Sequence, residues 1–313
     1  MTIVSGPSSP QEDQLAREFA PLIAQGLMAT PGEDAQVELQ LAGVPIGAAV
    51  TRYGGLLPGA QNAENFLLAK SAPSTHFPQR LVVAVSEGNY KAPVTVVAGT
   101  LALSELHRRV GGARRSDNLE DDVRVALAQA VQRLTELERL KPPPVLTRWR
   151  FDNFFTTAPA MLQGLASSLT AVAVAGRDAV LAHVGECHAY LARASERSLR
   201  RLSADHTLAA QPDFQEWVRR DPEKLLLFGS LPCWVLGNSP LADIQIEWLR
   251  LDPGDTLLLC SSSLRKGRAS DELLHQILQD AEPRVASERL LATAPRDTHP
   301  ALSTTVAILR VPD

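Results

Sequence analysis

The amino-acid sequence predicts an α+β fold in which two antiparallel β-sheets form a sandwich flanked by pairs of helices. Two observations carry this prediction. Four short β segments follow one another closely between residues 168 and 203, and such spacing requires antiparallel pairing because a parallel crossover needs a dozen or more residues. The helical segments are gathered into pairs and do not alternate with the strands, which favours helices packed on the outside of the sheets.

The N-terminal half begins with a polar stretch rich in Pro and Ser. We expect residues 1–14 to form a flexible arm and residues 15–313 to form a single domain. An amphipathic helix is predicted at residues 14–27 from its apolar spacing. The segments that follow in chain order are strand-like sequence at 35–54 with turn residues inside it, strands at 64–70 and 79–89, and a helical stretch at about 91–110.

The clearest helix runs from about Asn118 to Leu140, where apolar residues recur three or four positions apart. Asp117 stands where an N-cap is expected, and a triple proline at 142–144 ends the helix. Because strand-like sequence resumes beyond the prolines and needs the earlier strands as pairing partners, we interpret them as a connection inside one domain.

The C-terminal half contains four closely spaced strands, a polar helical insert, and a last group of strands and helices. His183 and His188 lie on adjacent strands, so one is expected to face the core and the other solvent. The predicted elements are strands at 168–176, 178–185, 187–193 and 198–203, the insert at 213–227, strands at 244–251 and 256–261, helices at 271–280 and 282–294, and a final strand at 304–311.

Composition excludes several classes of protein. The formal net charge is -4 and basic residues do not concentrate in one stretch, which argues against nucleic acid as a partner. Three scattered cysteines are too few for a disulfide framework or a four-ligand zinc site. No apolar run of about 18 residues predicts a membrane span, and the N-terminus lacks the features of a signal peptide. We therefore expect a cytoplasmic protein.

Several motifs occur in an order that resembles the metal-dependent protein phosphatases, the type 2C Ser/Thr phosphatases. The segment "LTAVAVAGRDAVLAHVGECHAYLARASERSLRRLSADHTL" is followed in register by "LDPGDTLLLCSSSL" and "STTVAILRV", and upstream stand "NAENFLL" and "VVAVSEGN". The resemblance covers roughly residues 40 to 311. It implies a four-layer αββα sandwich and, in the family, two Mn²⁺ or Mg²⁺ ions that activate water for phosphoester hydrolysis.

The resemblance also assigns the family's metal-site positions, and this sequence departs from most of them. A carboxylate lengthened by one methylene remains at three positions, whereas two aspartates of the first metal's shell are replaced by Ser and Leu, and the Arg that grips phosphate corresponds to a Gly near position 59. The degenerate positions are Glu64, Glu87 at the bridging Asp, Gly88 at the carbonyl ligand, Ser262, Leu302, and Glu186 at the third-metal position.

These replacements remove charge that a binuclear site needs. A serine hydroxyl is a poor substitute for an anion, and leucine offers no oxygen. We therefore expect no catalytic residues and no bound metal ion or other cofactor. Binding of Mn²⁺ or Mg²⁺ is expected only if the protein is an active phosphatase, and Glu64 and Glu87 are then the remaining candidate ligands.

Residues 210–236 occupy the place of the family's flap, the variable segment beside the catalytic cleft, and they are rich in aromatic side chains. These aromatics either form a small satellite core or provide a partner-binding surface, because aromatics are enriched in interface hot spots. The candidate partner-binding residues are Phe214, Trp217, Phe228 and Trp234.

Two other features have a structural and a catalytic interpretation. The serines at 261–263 lack a nucleophile-elbow motif, so we interpret them as a loop cap before the helix at Asp271. Asp205 and His206 resemble the family's Asp-His-Ser element, and we favour packing in a turn. The thiol of Cys260, inside an apolar strand, is expected to be buried and inert.

The sequence leads to one main hypothesis and two alternatives. The main hypothesis is a pseudophosphatase: a type 2C phosphatase fold with an incomplete metal site that acts as a binding or regulatory protein in signalling. The alternatives are a divergent but active Mn/Mg-dependent protein Ser/Thr phosphatase and a structural subunit of a larger assembly. For a pseudophosphatase we expect a protein partner, and we expect binding to neither nucleic acid nor a membrane.

Overall fold

The computed structural model describes most of the chain. The described residues are 10–29, 33–53, 62, 64–72, 74–75, 78–88, 93–112, 116–140, 166–223, 225, 229, 232–237, 243–265, 269–295 and 303–312. The described strands are β1 Ala35–Leu41, β2 Val44–Tyr53, β3 Glu64–Lys70, β4 Arg80–Gly88, β5 Ser167–Ala175, β6 Asp178–Val184, β7 His188–Ala192, β8 Leu199–Arg201, β9 Gln245–Arg250, β10 Thr256–Cys260 and β11 Ser303–Arg310.

Seven α-helices accompany these strands in the described part of the chain. They are α1 Pro10–Ala24, α2 Pro93–Leu106, α3 Leu119–Leu140, α4 Pro212–Arg220, the single turn α5 Ser262–Arg265, α6 Asp271–Asp280 and α7 Pro283–Thr293. A π-helical segment, His107–Gly111, continues α2. None of the described helices is long and apolar enough to cross a membrane.

The strands form two antiparallel sheets, as the sequence predicted. One sheet has six strands in the order β1-β2-β11-β10-β7-β8, and the other has five in the order β3-β4-β5-β6-β9. All of the described strand pairs are antiparallel. Several of these pairs are hairpins with tight turns. Gly43, between β1 and β2, and Gly176, between β5 and β6, have φ values of 82° and 62°, the left-handed conformation that such turns require.

Three hydrophobic layers hold the four-layer αββα sandwich together. In β3, Leu67 packs with helices α2 and α3 on the outside, whereas its neighbours Phe66 and Leu68 pack between the sheets. The third layer lies between the six-stranded sheet and helices α6 and α7, where Leu258 of the sheet and Leu274 of α6 belong to one buried cluster. Alternation of side chains along each strand therefore separates the helix-facing core from the core between the sheets.

Some element boundaries differ from the expectations. Helix α1 begins at Pro10, so five residues assigned to the arm are helical, and residues 1–9 lie outside the described part. Asn118, not Asp117, is the cap of α3, because its Oδ1 accepts the backbone N–H groups of Glu120 and Asp121 at 3.0 and 3.3 Å. The single-domain division and the arm stay predictions.

The expected role of the three serines as a cap for the helix at Asp271 was wrong. Ser270 caps that helix, since its side chain accepts the backbone N–H of Leu273 at 3.3 Å. The serines instead lie at the end of β10 and enter the single turn α5, which begins at Ser262. The cap lies next to the helix in sequence, whereas residues 261–263 are still tied to the strand that precedes them.

Candidate functional site at the end of the sandwich

Two glutamates face the space between the sheets at one end of the five-stranded sheet. Glu64 on β3 is the direct cross-strand partner of Glu87 on β4. Both follow the same alternation as Phe66 and Val85, which pack in the core between the sheets. Glu64 is only 3% exposed and Glu87 is partly buried. The register of one hairpin therefore brings together two predicted site residues.

Ser262, from the opposite sheet, occupies both oxygens of the Glu87 carboxylate. Its backbone N–H donates to Oε2 at 2.8 Å and its hydroxyl donates to Oε1 at 2.7 Å. Ser262 directly follows β10 of the six-stranded sheet, whereas Glu87 ends β4 of the five-stranded sheet. These charge-assisted bonds connect the two sheets at this end of the sandwich.

The neighbouring serines belong to a buried network of hydroxyl groups. The Ser261 hydroxyl accepts the backbone N–H of Thr305 at 3.0 Å and lies 2.9 Å from the Ser263 hydroxyl. Ser263 donates to Thr304 at 2.9 Å, and Thr305 is 2.7 Å from Thr51. Since none of these hydroxyls is placed against a histidine by a described hydrogen bond, the arrangement is structural and does not resemble a serine nucleophile.

The turn between β6 and β7 lies beside the glutamates. Gly185 adopts φ 96°, and the next residue, Glu186, donates its backbone N–H to Ser168 Oγ at 3.0 Å. The Cys187 sulfur is 4.0 Å from Glu87 Oε2. Burial, and then the nearby carboxylates, raise the pKa of Cys187 well above its usual range, so the thiol stays protonated and is a poor nucleophile or metal ligand.

The residues at the described positions do not fit the family's binuclear metal centre. Within the described ranges, no group of three or more His, Cys, Asp or Glu side chains is arranged to hold a metal ion. A backbone N–H cannot ligate a cation, and here one points at a carboxylate oxygen that would have to do so. Glu64 and Glu87 supply two negative charges, against the four positive charges of two divalent ions.

The structure describes two of the remaining predicted site positions, Gly88 and Glu186. Gly88 ends β4 opposite Ser167, and the side chain of Ser167 donates to the carbonyl of Glu87 at 3.0 Å. Glu186 is partly exposed on its turn. Leu302 and Gly59 lie outside the described residues, and their assignment rests on the sequence resemblance alone.

The sequence did not reveal a histidine cluster that borders the same turn. His183 on β6 is 1% exposed, and its ring lies 4.7 Å from the ring of His206, centre to centre. His206 in turn forms a T-shaped contact with Trp234, with 5.0 Å between the ring centres. The only available signal was the resemblance of Asp205-His206 to a family element, for which we favoured packing in a turn, and the contacts are of that kind.

The aromatic residues of the flap-like insert divide into two groups. Phe214 is 9% exposed and therefore buried, and Trp234 is partly buried against the core beneath helices α2 and α3. The side chains of Trp217 and Phe228 lie outside the described part of the chain. The burial of Phe214 and the partial burial of Trp234 favour a packing role over an open binding surface for these two residues, and partner binding by the insert stays a prediction.

Comparison with known proteins identifies the fold. The sequence matches no protein-family profile and no curated protein at a significant level. Solved structures do match over most of the chain. A structure of PppA from Pseudomonas aeruginosa, described as a key regulatory component of the type VI secretion system, has 19% identity and a TM-score of 0.58, covering 85% of this chain and 99% of that one.

Two structures of the phosphatase PstP show the same relationship. The Mycobacterium tuberculosis serine/threonine phosphatase PstP/Ppp has 22% identity, covers 86% of this chain and 100% of its own, and gives a TM-score of 0.55. The catalytic domain of PstP in complex with two manganese ions has 22% identity, with 86% and 99% coverage and a TM-score of 0.57. The chain therefore has the fold of the metal-dependent (PPM-type) Ser/Thr phosphatases.

Proposed function

We propose that this protein is a pseudophosphatase that uses the PPM-type phosphatase fold to bind or regulate another protein. The observation that carries the proposal is the pair of hydrogen bonds from Ser262 to Glu87. By the sequence resemblance Glu87 corresponds to the family's bridging carboxylate, and both of its oxygens already accept hydrogen bonds from donors of this chain.

The energetics of the site support this proposal. A hydrogen bond to a charged group contributes about 1.5–3 kcal/mol, so a cation at Glu87 would have to replace two such bonds. It would meet the carboxylates of Glu64 and Glu87 without the two aspartates that Ser262 and Leu302 replace. The binuclear chemistry of the fold requires both ions held in defined geometry, and this donor set does not provide it.

A regulatory role is in keeping with one of the structural neighbours. PppA is described as a regulatory component of a secretion system, and we propose a protein partner for this chain on the same fold. The insert at residues 210–236 and the end of the sandwich that holds Glu64 and Glu87 are the proposed contact regions. A signalling role in the cytoplasm is part of this proposal.

The proposal is tested by measuring metal binding and hydrolysis together. Mn²⁺ and Mg²⁺ are titrated by calorimetry, and hydrolysis of an aryl phosphate and of a phosphopeptide is followed in the same buffers, with an active PPM phosphatase as positive control. We expect neither micromolar binding nor turnover. Micromolar Mn²⁺ binding together with turnover that Glu87→Ala abolishes would refute the proposal.

A restored variant provides the matched control. Ser262→Asp combined with Leu302→Asp returns carboxylates to the two lost positions. We expect this variant to bind Mn²⁺ at least tenfold more tightly than the natural sequence. Equal and tight binding by both proteins would mean that the serine does not block the site. Co-purification of partners with and without residues 210–236 then tests the binding role.

The divergent active phosphatase is the second candidate, and the cross-strand pairing of Glu64 with Glu87 is the observation in its favour. For this activity Ser262 would have to release Glu87, and water or partner groups would have to complete the metal shell. The titration described above separates the two candidates. A structural subunit, the third alternative, predicts co-purification that does not depend on the insert.

A further inference from the structure

His206 joins the flap-like insert to the turn between β6 and β7. Its ring nitrogen Nδ1 accepts the backbone N–H of Gly185 at 3.2 Å. Its own carbonyl accepts the backbone N–H of Cys233 at 2.8 Å, and its ring forms a T-shaped contact with Trp234. The adjacent Thr207 forms a bridge with Pro232. One residue therefore holds both the insert and the turn.

The hydrogen bond from Gly185 requires an imidazole without a proton on Nδ1. A backbone N–H can only donate, and in the imidazolium form both ring nitrogens are donors. Protonation of His206 would place an N–H against the Gly185 N–H and would leave both without an acceptor in a site where His206 is 4% exposed. The contact is thus specific for the neutral ring.

The neighbouring ring of His183 gives a second reason why the described contact favours a neutral His206. Its Nε2 lies 3.0 Å from the carbonyl of Ala204, which can only accept, so Nε2 carries a proton, and its Nδ1 lies 2.7 Å from the Thr170 hydroxyl, which can donate or accept. Burial lowers the pKa of His183 well below the usual range, so the ring is neutral near pH 7 and Nδ1 then accepts from Thr170. A positive charge on His206, whose ring centre lies 4.7 Å away, gains nothing from this neutral neighbour.

Nearby carboxylates and burial shift the pKa of His206 in opposite directions. Asp205 and Asp243 favour its protonation, whereas burial, which is the larger effect, lowers the pKa of His206 below its ordinary value. Asp205 is also engaged by Arg201 through two hydrogen bonds, which reduces its attraction for an imidazolium. On the insert, the Cys233 thiol has a pKa raised by burial and carries no charge.

The turn that His206 holds leads directly to the candidate site. Glu186 and Cys187 follow Gly185, and the Cys187 sulfur lies 4.0 Å from Glu87 Oε2. We propose that His206 is a pH-operated latch, in which the neutral ring fastens this turn to the segment that also holds the insert, and protonation in mildly acidic conditions releases the turn. The latch itself is independent of the proposed pseudophosphatase function, whereas its effect on partner binding rests on it.

The direction of the pH dependence follows from the lowered pKa. The unfolded or released state binds a proton on His206 at a higher pH than the latched state does. The latch is therefore complete above the ordinary pKa of histidine, about 6.5. It weakens as the pH falls from there toward the lower value of the latched state.

The test uses the full chain and follows the latch by NMR. The ring of His206 and the amides of Gly185 and Trp234 are titrated from pH 7.5 to 5.0, and amide protection is corrected for the intrinsic exchange rate. We expect the Gly185 amide to shift with the same midpoint as the His206 ring and to lose at least tenfold in protection. Constant protection of Gly185, or a midpoint different from that of His206, would overturn the proposal.

Two variants separate the latch from general acid sensitivity. In His206→Asn the amide oxygen takes the place of Nδ1 as acceptor but does not titrate, so the Gly185 amide should keep its protection at both ends of the pH range. His275→Asn removes a histidine that contacts the carbonyl of Glu196 instead, and it should behave as the natural protein does. Unchanged pH dependence in His206→Asn would refute the assignment, and if that variant does not fold, the coincidence of midpoints in the natural protein decides.

Discussion

Replacement of Ser262 by alanine tests the link between the two sheets most directly. The substitution removes the hydroxyl that donates to Glu87 Oε1 at 2.7 Å, while the backbone N–H keeps its bond to Oε2 at 2.8 Å. A hydrogen bond to a charged acceptor contributes about 1.5–3 kcal/mol. Because Glu87 is only partly buried, water can solvate the freed oxygen, and we expect a loss near the lower end, about 1.5 kcal/mol.

The loss is measured as the change in free energy of unfolding in urea, with circular dichroism as the signal. In a thermal scan it corresponds to a fall of about 3–6 °C, since 1 kcal/mol shifts the melting temperature of large domains by about 2–4 °C. A double-mutant cycle with Glu87→Gln then isolates the interaction, for which we expect a coupling of at least about 0.5 kcal/mol.

Ser270→Ala supplies the matched control for this cycle. Ser270 is also a serine whose hydroxyl makes a described hydrogen bond, but its partner is the N-terminus of α6 and not a carboxylate. Its effect should add to that of Glu87→Gln within about 0.5 kcal/mol. A coupling near zero between Ser262 and Glu87, or a more stable Ser262→Ala protein, would refute the argument that Ser262 takes over a cation's place.

Two further predictions concern the stability of the fold. Gly185→Ala should lower the free energy of unfolding in urea by at least about 3 kcal/mol, because the new Cβ would lie 2.2 Å from Ser168 Oγ at a φ of 96°. Gly176→Ala is the control, since Gly176 has open space around it and its replacement should cost about 1–2 kcal/mol. Equal costs for the two variants would contradict the steric argument. Arg80→Ala should cost about 3 kcal/mol because Arg80 and Asp122 form an ion pair that is 2% and 0% exposed, and a loss under about 1 kcal/mol would show that the remaining partners of the aspartate suffice.

The sequence predicted the elements of the fold well because their signals are local. Apolar side chains at helical spacing indicated α3, and turn residues at Gly176 separated β5 from β6. The helix predicted at residues 271–280 has those bounds in the structure. The antiparallel sandwich followed from the short distances between strands. Helix ends were less predictable, as Asn118 and Ser270 show, because several neighbouring residues can cap a helix and packing selects among them.

The resemblance placed the site positions at strand ends, and the sequence itself determined which side chains stand there. It did not determine how they interact. Ser262 and Glu87 are 175 residues apart, and nothing along the chain indicates that the backbone N–H and hydroxyl of one meet both oxygens of the other. The cluster of His183, His206 and Trp234 was hidden for the same reason. Side-chain identity is local information, whereas the register of strands and the packing of two sheets bring distant residues together, and only the tertiary structure decided those contacts.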